Sequence, residues 1–190
     1  MHAPSATAAQ PIFYYDLGHA DCYLVAERIL TAFDPVAEWE PVLATAVLRT
    51  TSAAERARIE DRVAALGLQP LRWPATWPPD TTAAMLAATY AKQIGRAVAF
   101  SLAAFRQAFA AGRDLGDQDT VLLAAAACEM HPTAVLKGIA LRSVGDALHA
   151  ANGRARTAGI SDLPAIEFDG EVFEGPDCVE LARAEIGAVR

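Results

Sequence analysis

The feature that most constrains the fold is an apolar strand that ends abruptly in a turn and leads straight into a helix. Residues 11–17 are apolar and aromatic, and Asp16 and Gly18 end the segment. A helix is predicted to begin near His19, with Cys22 in its first turn and apolar residues along one face. Another apolar run follows at residues 41–48, which predicts a parallel strand and a right-handed strand–helix–strand unit.

A second strand signal lies near the other end of the chain. Pro164 heads an apolar segment, Asp169 and Gly170 form a two-residue hairpin turn, and a further strand follows up to Phe173. We expect all these strands to share one sheet. Strand 11–17 should lie between strand 42–48 and strand 164–168.

The residues between these two strand regions have helical patterns. Ser52 and Glu55 form a capping box before an amphipathic segment that stops at Gly67, and helical periodicity continues to about Gly159. The predicted organisation is a disordered lead-in over residues 1–10, an α/β domain over residues 11–51 and 143–190, and an inserted all-helical subdomain over residues 52–142.

Composition excludes several partners. The net charge is −7 and no basic run occurs, so nucleic acid is not an expected partner. No stretch approaches the roughly 20 apolar residues of a membrane span, and the N-terminus lacks the features of a signal peptide. The three cysteines are widely separated and odd in number, a poor disulfide framework that favours the cytoplasm.

With these elements placed, the chain resembles the DsbA-like thioredoxin superfamily, and within it the branch of 2-hydroxychromene-2-carboxylate isomerase and kappa-class glutathione transferase. The match runs in order over roughly residues 11–185. It is carried by residues 13–16, 23–24, 26–28, 105–109, 112–115, 159–160, 163–164 and 168–177.

The resemblance implies a thioredoxin-like fold with an inserted helical subdomain. It implies a cis peptide bond between Leu163 and Pro164 that faces the His19 turn, and a substrate- or thiol-binding role for Leu163, Pro164 and Gly18. The implied activity is that of an oxidoreductase or isomerase, with a low-molecular-weight thiol such as glutathione as cofactor.

The turn itself departs from the relatives that it resembles. Where they have Cys-x-x-Cys or a Ser-Pro pair, this chain has His19 and, three residues later, Cys22. The N–H groups of a helix N-terminus favour negative charge and disfavour an imidazolium, so we expect His19 to act as a neutral base or hydrogen-bond acceptor. Cys22 is expected to be auxiliary, and Asp21 to stabilise the helix start.

Two alternatives stay open. His19 and Cys22, together with Cys128 and His131, have the residue types and tight spacing of a zinc site, although nothing in the sequence brings the two pairs together, so no metal is expected. The protein is either a thiol-linked enzyme that does not exchange dithiols or a catalytically silent thioredoxin-fold binding or scaffold protein. Its expected partner is a small-molecule substrate or thiol, and the sequence leaves a homodimer open.

Overall fold

The computed structural model describes residues 10–43 and 51–189. The predicted lead-in therefore lies outside the described residues, except for Gln10. The strands are β1 Ile12–Tyr15, β2 Glu38–Pro41, β3 Ala165–Phe168 and β4 Glu171–Glu174. The helices are α1 Ala20–Ile29, α2 Ala53–Ala65, α3 Thr82–Gln93, α4 Ala97–Phe105, α5 Gln118–Ala127, α6 Pro132–Ile139, α7 Arg142–Thr157 and α8 Cys178–Val189, with a π-helical turn at Arg106–Ala110 after α4.

The four strands form one sheet in the order β2-β1-β3-β4. Strand β1 is parallel to β2 and antiparallel to β3, and β3 and β4 form an antiparallel hairpin. The predicted central position of the first strand is therefore confirmed. It places the turn after Tyr15 at the middle of the sheet, where both neighbouring strands flank it.

The predicted bounds of the second strand are wrong. Strand β2 is Glu38–Pro41, whereas the prediction was residues 41–48, of which 44–48 lie outside the described residues. The search for apolar runs missed β2 because this strand contains two glutamates. Trp39 packs edge-on against Phe13 in the core, and Glu40 is buried because Lys92 Nζ and Arg154 Nη2 lie 2.7 and 3.0 Å from its Oε2.

The hairpin and the first inserted helix follow the local sequence signals. Asp169 and Gly170 have φ angles of 51° and 83°, as a two-residue hairpin turn requires, and their prediction is confirmed. The Ser52 side chain accepts from Glu55 N and the Glu55 carboxylate accepts from Ser52 N, which is the predicted capping box at the start of α2.

Helices α2 to α7 lie between β2 and β3 in the chain, and the division into an insert over 52–142 and a surrounding domain stays a prediction. Helices α5 and α6 are separate, because Glu129 between them takes a φ of 62° and His131 caps α6. Within residues 10–43 and 51–189, no helix combines the length and hydropathy needed to cross a membrane.

An aromatic cluster joins the sheet to the helices. The ring of Tyr15 lies 5.9 Å from that of Phe105, and the ring of Tyr23 lies 5.6 Å from that of Phe109. The Tyr15 hydroxyl is 2.6 Å from Ser101 Oγ, so its polar end is satisfied inside the core. This cluster fixes β1 and α1, and therefore the turn between them, against α4 and the π-helical turn.

Two helical glycines provide a matched test of how tightly the helices pack against one another, because one faces α3 and the other faces open space. A Cβ atom on Gly138 would lie 2.6 Å from Tyr90 Cγ, whereas one on Gly145 would meet nothing within 4 Å. We expect Gly138→Ala to lower the free energy of unfolding by about 1–3 kcal/mol through overpacking. Gly145→Ala should raise it by up to about 1 kcal/mol, because alanine is the better helix former. Urea denaturation of both variants checks this, and equal effects would contradict it.

Candidate active site

The turn between β1 and α1 is shaped by one buried carboxylate. Asp16 is fully buried, its Oδ1 accepts from Gly18 N at 2.8 Å, and its backbone oxygen accepts from His19 N at 3.1 Å. Thr81, at the start of α3, donates from Oγ1 to Asp16 Oδ2 at 3.4 Å. These bonds fix the backbone of the turn and place His19 at the N-cap position of α1.

His19 does not cap the helix with its side chain. Its backbone is extended, with φ −106° and ψ 118°, and it makes no side-chain capping hydrogen bond. The ring atom Nδ1 is buried and bonds to none of the residues that the structure describes. Most buried polar atoms in native proteins have a partner, so an unpaired ring nitrogen on a cavity wall is a candidate for function. Because Nδ1 is buried, a ligand would reach the ring through Nε2.

A cavity of about 380 Å³ opens beside this ring. Gly18 and His19 form one wall, Leu163 from the loop before β3 forms another, and one face of α2 closes the third side. The structure thus brings together three of the predicted site residues. Pro164 and Cys22 do not line the cavity.

Helix α2 contributes charged side chains to the cavity wall. Arg62 Nη1 lies 2.8 Å from Asp21 Oδ1, so its charge is balanced within the wall. Arg58 lines the same wall, and no described residue forms an ion pair with it. One guanidinium therefore remains available to an anionic group of a ligand. Asp21 lies in the first turn of α1, and its ion pair with Arg62 joins α2 to α1; its stabilisation of the helix start stays a prediction.

The loop before β3 is held by carboxylates. The Leu163–Pro164 peptide bond is cis, as the resemblance implies, and Pro164 O accepts from Gly175 N at 2.8 Å. Glu174 of β4 accepts from Asp162 N at 2.7 Å, and Asp162 Oδ1 in turn accepts from Leu163 N at 2.8 Å. Both Asp162 and Leu163 line the cavity.

Cys22 lies behind the turn and away from the cavity. It is fully buried, and burial raises the pKa of its thiol well above the ordinary value. Burial likewise raises the pKa of Cys178 to about 12. Cys128 is also buried, and all three cysteines are unpaired. At neutral pH these thiols are protonated, and a protonated thiol is a poor nucleophile.

The zinc alternative gains no support from the described part of the chain, where no group of three or more His, Cys, Asp or Glu side chains could hold a metal ion. The Cys128 thiol instead donates to the carbonyl oxygens of Ala124 and Ala125, at 3.4 and 3.2 Å. His131 Nδ1 accepts from Thr133 N at 3.2 Å and so caps α6.

Sequence reasoning missed Arg58, Arg62 and Asp162. The two arginines recur with Glu55 and Ile59 at helical spacing, which identifies a common face of α2 but not the surface opposite it. Trp77, from the loop between α2 and α3, also lines the cavity, and its ring lies 6.0 Å from that of buried Phe109.

In this structure the central strand leads through a turn into a helix N-terminus, and a cis-proline loop lies on the opposite side of a cavity. This arrangement defines a thioredoxin-type protein. The family model for the DSBA-like thioredoxin domain matches residues 12–187. The chain therefore belongs to the DsbA-like thioredoxin family, which includes oxidoreductases and isomerases.

Solved structures share this fold at low identity. The 2-hydroxychromene-2-carboxylate isomerase structure superposes with a TM-score of 0.81 and 13% identity, over 94% of this chain and 95% of that one. A probable DsbA oxidoreductase from Streptomyces coelicolor gives 0.74 and 19%, over 96% and 91%. The cytosolic disulfide reductase DsbM from Pseudomonas aeruginosa gives 0.66 and 14%, over 94% and 97%. No curated protein matches the sequence.

Proposed function

We propose that this protein is a thiol-linked enzyme of the oxidoreductase or isomerase type that acts on a small molecule without dithiol exchange. The ligand is a low-molecular-weight thiol, glutathione or an equivalent, or a small acidic aromatic compound. It lies in the cavity with its thiol or acidic group against the N-terminus of α1. His19 Nε2 accepts a hydrogen bond or a proton from that group, and Cys22 is auxiliary.

The observation that supports this proposal best is the position of His19. Its ring lies on the cavity wall at a helix N-terminus that no side chain caps, and its Nδ1 has no partner among the described residues. The N–H groups of such a helix end stabilise a developing anion. Arg58 adds a cation for a carboxylate of the ligand, and Trp77 adds an aromatic surface.

The cytoplasm is the proposed compartment. Three unpaired cysteines are compatible with a reducing environment, and one protein of the same fold is described as a cytosolic disulfide reductase. Low-molecular-weight thiols are abundant in such an environment, so the proposed ligand and the proposed compartment are mutually consistent.

A silent binding protein is the second candidate, and the buried, protonated Cys22 favours it. Ligand binding would distinguish both candidates from a scaffold that binds nothing. Catalytic turnover would distinguish the enzyme from the silent binding protein. The test is a thermal-shift and calorimetry screen of glutathione, 2-mercaptobenzoate and other small aromatic acids. A bound ligand at about 100 times its Kd should stabilise the fold by about 2.7 kcal/mol. No binding at millimolar ligand would contradict the proposal.

Dithiol exchange should be absent. The attacking position holds His19, and Cys22 is buried as a thiol, so the attacking thiolate that exchange needs does not form. We expect insulin reduction and refolding of reduced ribonuclease to proceed at the rate given by free thiol at equal concentration. The matched control is Cys22→Ala, which should give the same rate. Turnover that disappears in Cys22→Ala would show that the prediction is wrong.

A further inference from the structure

Trp77 brings a large aromatic ring to the cavity wall, and two contacts attach that ring to the fold. Its Nε1 donates to Thr51 Oγ1 at 2.9 Å, and its ring lies 6.0 Å from that of Phe109. Phe109 belongs to the π-helical turn, is fully buried, and accepts at its backbone oxygen from Arg72 N at 2.8 Å. The loop between α2 and α3 is therefore joined to the core close to the ring that it carries.

Two further neighbours of Trp77 are Trp73 and Arg56, neither of which lines the cavity. The Trp73 ring lies edge-on to that of Trp77 at 5.1 Å, and its Nε1 donates to Glu60 Oε1 at 2.8 Å. Arg56 Cζ lies 4.6 Å from the centroid of the Trp73 ring and 5.9 Å from that of Trp77, so both rings are within cation–π range. No described carboxylate forms an ion pair with Arg56. Its charge is therefore engaged by the two rings.

We propose that Arg56 is a positioning residue that holds Trp73 and Trp77 in their edge-on arrangement, and that the cavity thereby prefers ligands with an aromatic ring. A guanidinium close to both rings favours the arrangement that keeps both within its reach. The attraction between two aromatic rings depends on their relative orientation, whereas apolar burial does not. A fixed Trp77 ring therefore adds most to the binding of another ring.

This preference decides between the two ligand classes of the proposed function, on which the inference rests. A small acidic aromatic compound gains from the oriented Trp77 ring, and its acidic group can still lie against the N-terminus of α1. An aliphatic thiol such as glutathione gains only from the burial of its apolar surface. The favoured ligand is therefore the aromatic acid.

Three substitutions separate the cation, the ring and the net charge. Arg56→Gln removes the cation and keeps a polar side chain that still has amide donors. Trp77→Leu removes the ring and keeps an apolar side chain at the cavity wall. Arg72→Gln is the matched control, because Arg72 carries the same charge in the loop between α2 and α3 and its side chain is exposed. Its bond to Phe109 comes from the backbone and is kept.

The first measurement is near-ultraviolet circular dichroism of the free protein, which needs no ligand. The chain has three tryptophans, and the third, Trp39, packs against Phe13 in the core, where these substitutions do not reach. We expect the tryptophan bands to lose intensity in Arg56→Gln, because the Trp73 and Trp77 rings lose their fixed relative orientation, and to be unchanged in Arg72→Gln. An Arg56→Gln spectrum that superimposes on that of wild type would show that Arg56 does not position the pair and would overturn the inference.

The second measurement is calorimetric titration of 2-mercaptobenzoate and of its ring-saturated analogue, 2-mercaptocyclohexanecarboxylate, which carries the same two functional groups. Wild type should bind the aromatic probe about twofold to tenfold more tightly. Arg56→Gln and Trp77→Leu should bring this ratio of affinities towards one, whereas Arg72→Gln should keep it. A general loosening of the cavity would weaken both probes equally and leave the ratio unchanged, so the ratio distinguishes positioning from a merely structural role.

The remaining outcomes separate this inference from the proposed function. A wild-type ratio of one, a ratio unchanged in Arg56→Gln, or an equal fall in Arg72→Gln would each overturn the inference. Binding of glutathione without either ring compound would also overturn it and leave the proposed function standing. If wild type binds none of the three probes, the proposed function fails and the ligand preference fails with it.

Discussion

His19→Ala is expected to weaken binding of small thiols and aromatic acids about tenfold to a hundredfold while leaving the fold almost unchanged. In the proposed function this side chain gives the ligand its hydrogen-bond or proton acceptor, and the loss is that of one hydrogen bond to a charged partner. The same side chain makes no capping bond and leaves Nδ1 unpaired, so its loss should change the free energy of unfolding by less than about 1 kcal/mol.

The measurement is calorimetric titration of 2-mercaptobenzoate and glutathione into wild type and variant, with urea denaturation of each. His149→Ala is the matched control, because His149 is exposed on α7 and outside the cavity wall. It should bind like wild type. If His19→Ala retains every ligand at unchanged affinity, His19 is not part of the ligand site, and the silent binding protein is the better account.

Phe105→Ala is expected to cost about 3–5 kcal/mol of the free energy of unfolding, a large share of the 5–15 kcal/mol typical of a domain. Phe105 is fully buried, and its ring lies within 6.5 Å of the rings of Tyr15, Tyr23 and Phe109. Its removal leaves a cavity where β1, α1 and α4 meet, and the surrounding rings cannot close it without moving the sheet.

Urea denaturation followed by circular dichroism measures this loss. Phe173→Ala is the comparison, because Phe173 lies half-buried on the edge strand β4 and should cost only about 1 kcal/mol. Similar losses for the two variants would contradict the view that the aromatic cluster, rather than the hairpin, carries the stability of the fold.

The parts of the fold that were predictable are those whose signals are local. The capping box at Ser52 and the hairpin turn at Asp169 and Gly170 each depend on a few neighbouring residues, and both are confirmed. Strand β2 was misplaced because Glu40 is buried only through Lys92 and Arg154, which are distant in the chain. The sequence pattern of residues 38–41 cannot reveal that basic side chains of α3 and α7 will pair with Glu40.

The candidate site was also predictable only where its sequence signals are local. The sequence predicted His19 and Leu163 through a turn and a proline, and the structure places both on one cavity. Arg58 and Asp162 were missed because their importance depends on which surfaces face each other across that cavity. The position of Arg58 on the cavity wall is a property of tertiary packing, which has no signature in local sequence.

The buried carboxylate of Asp16 has a consequence for how such a protein evolves. The backbone of the turn is held by Asp16 together with Gly18 N and Thr81 Oγ1, and none of these bonds uses the side chain of residue 19. The backbone of the turn and the side chain proposed to react are thus encoded at separate positions. We therefore expect residue 19 to accept other side chains with little effect on the conformation of the turn.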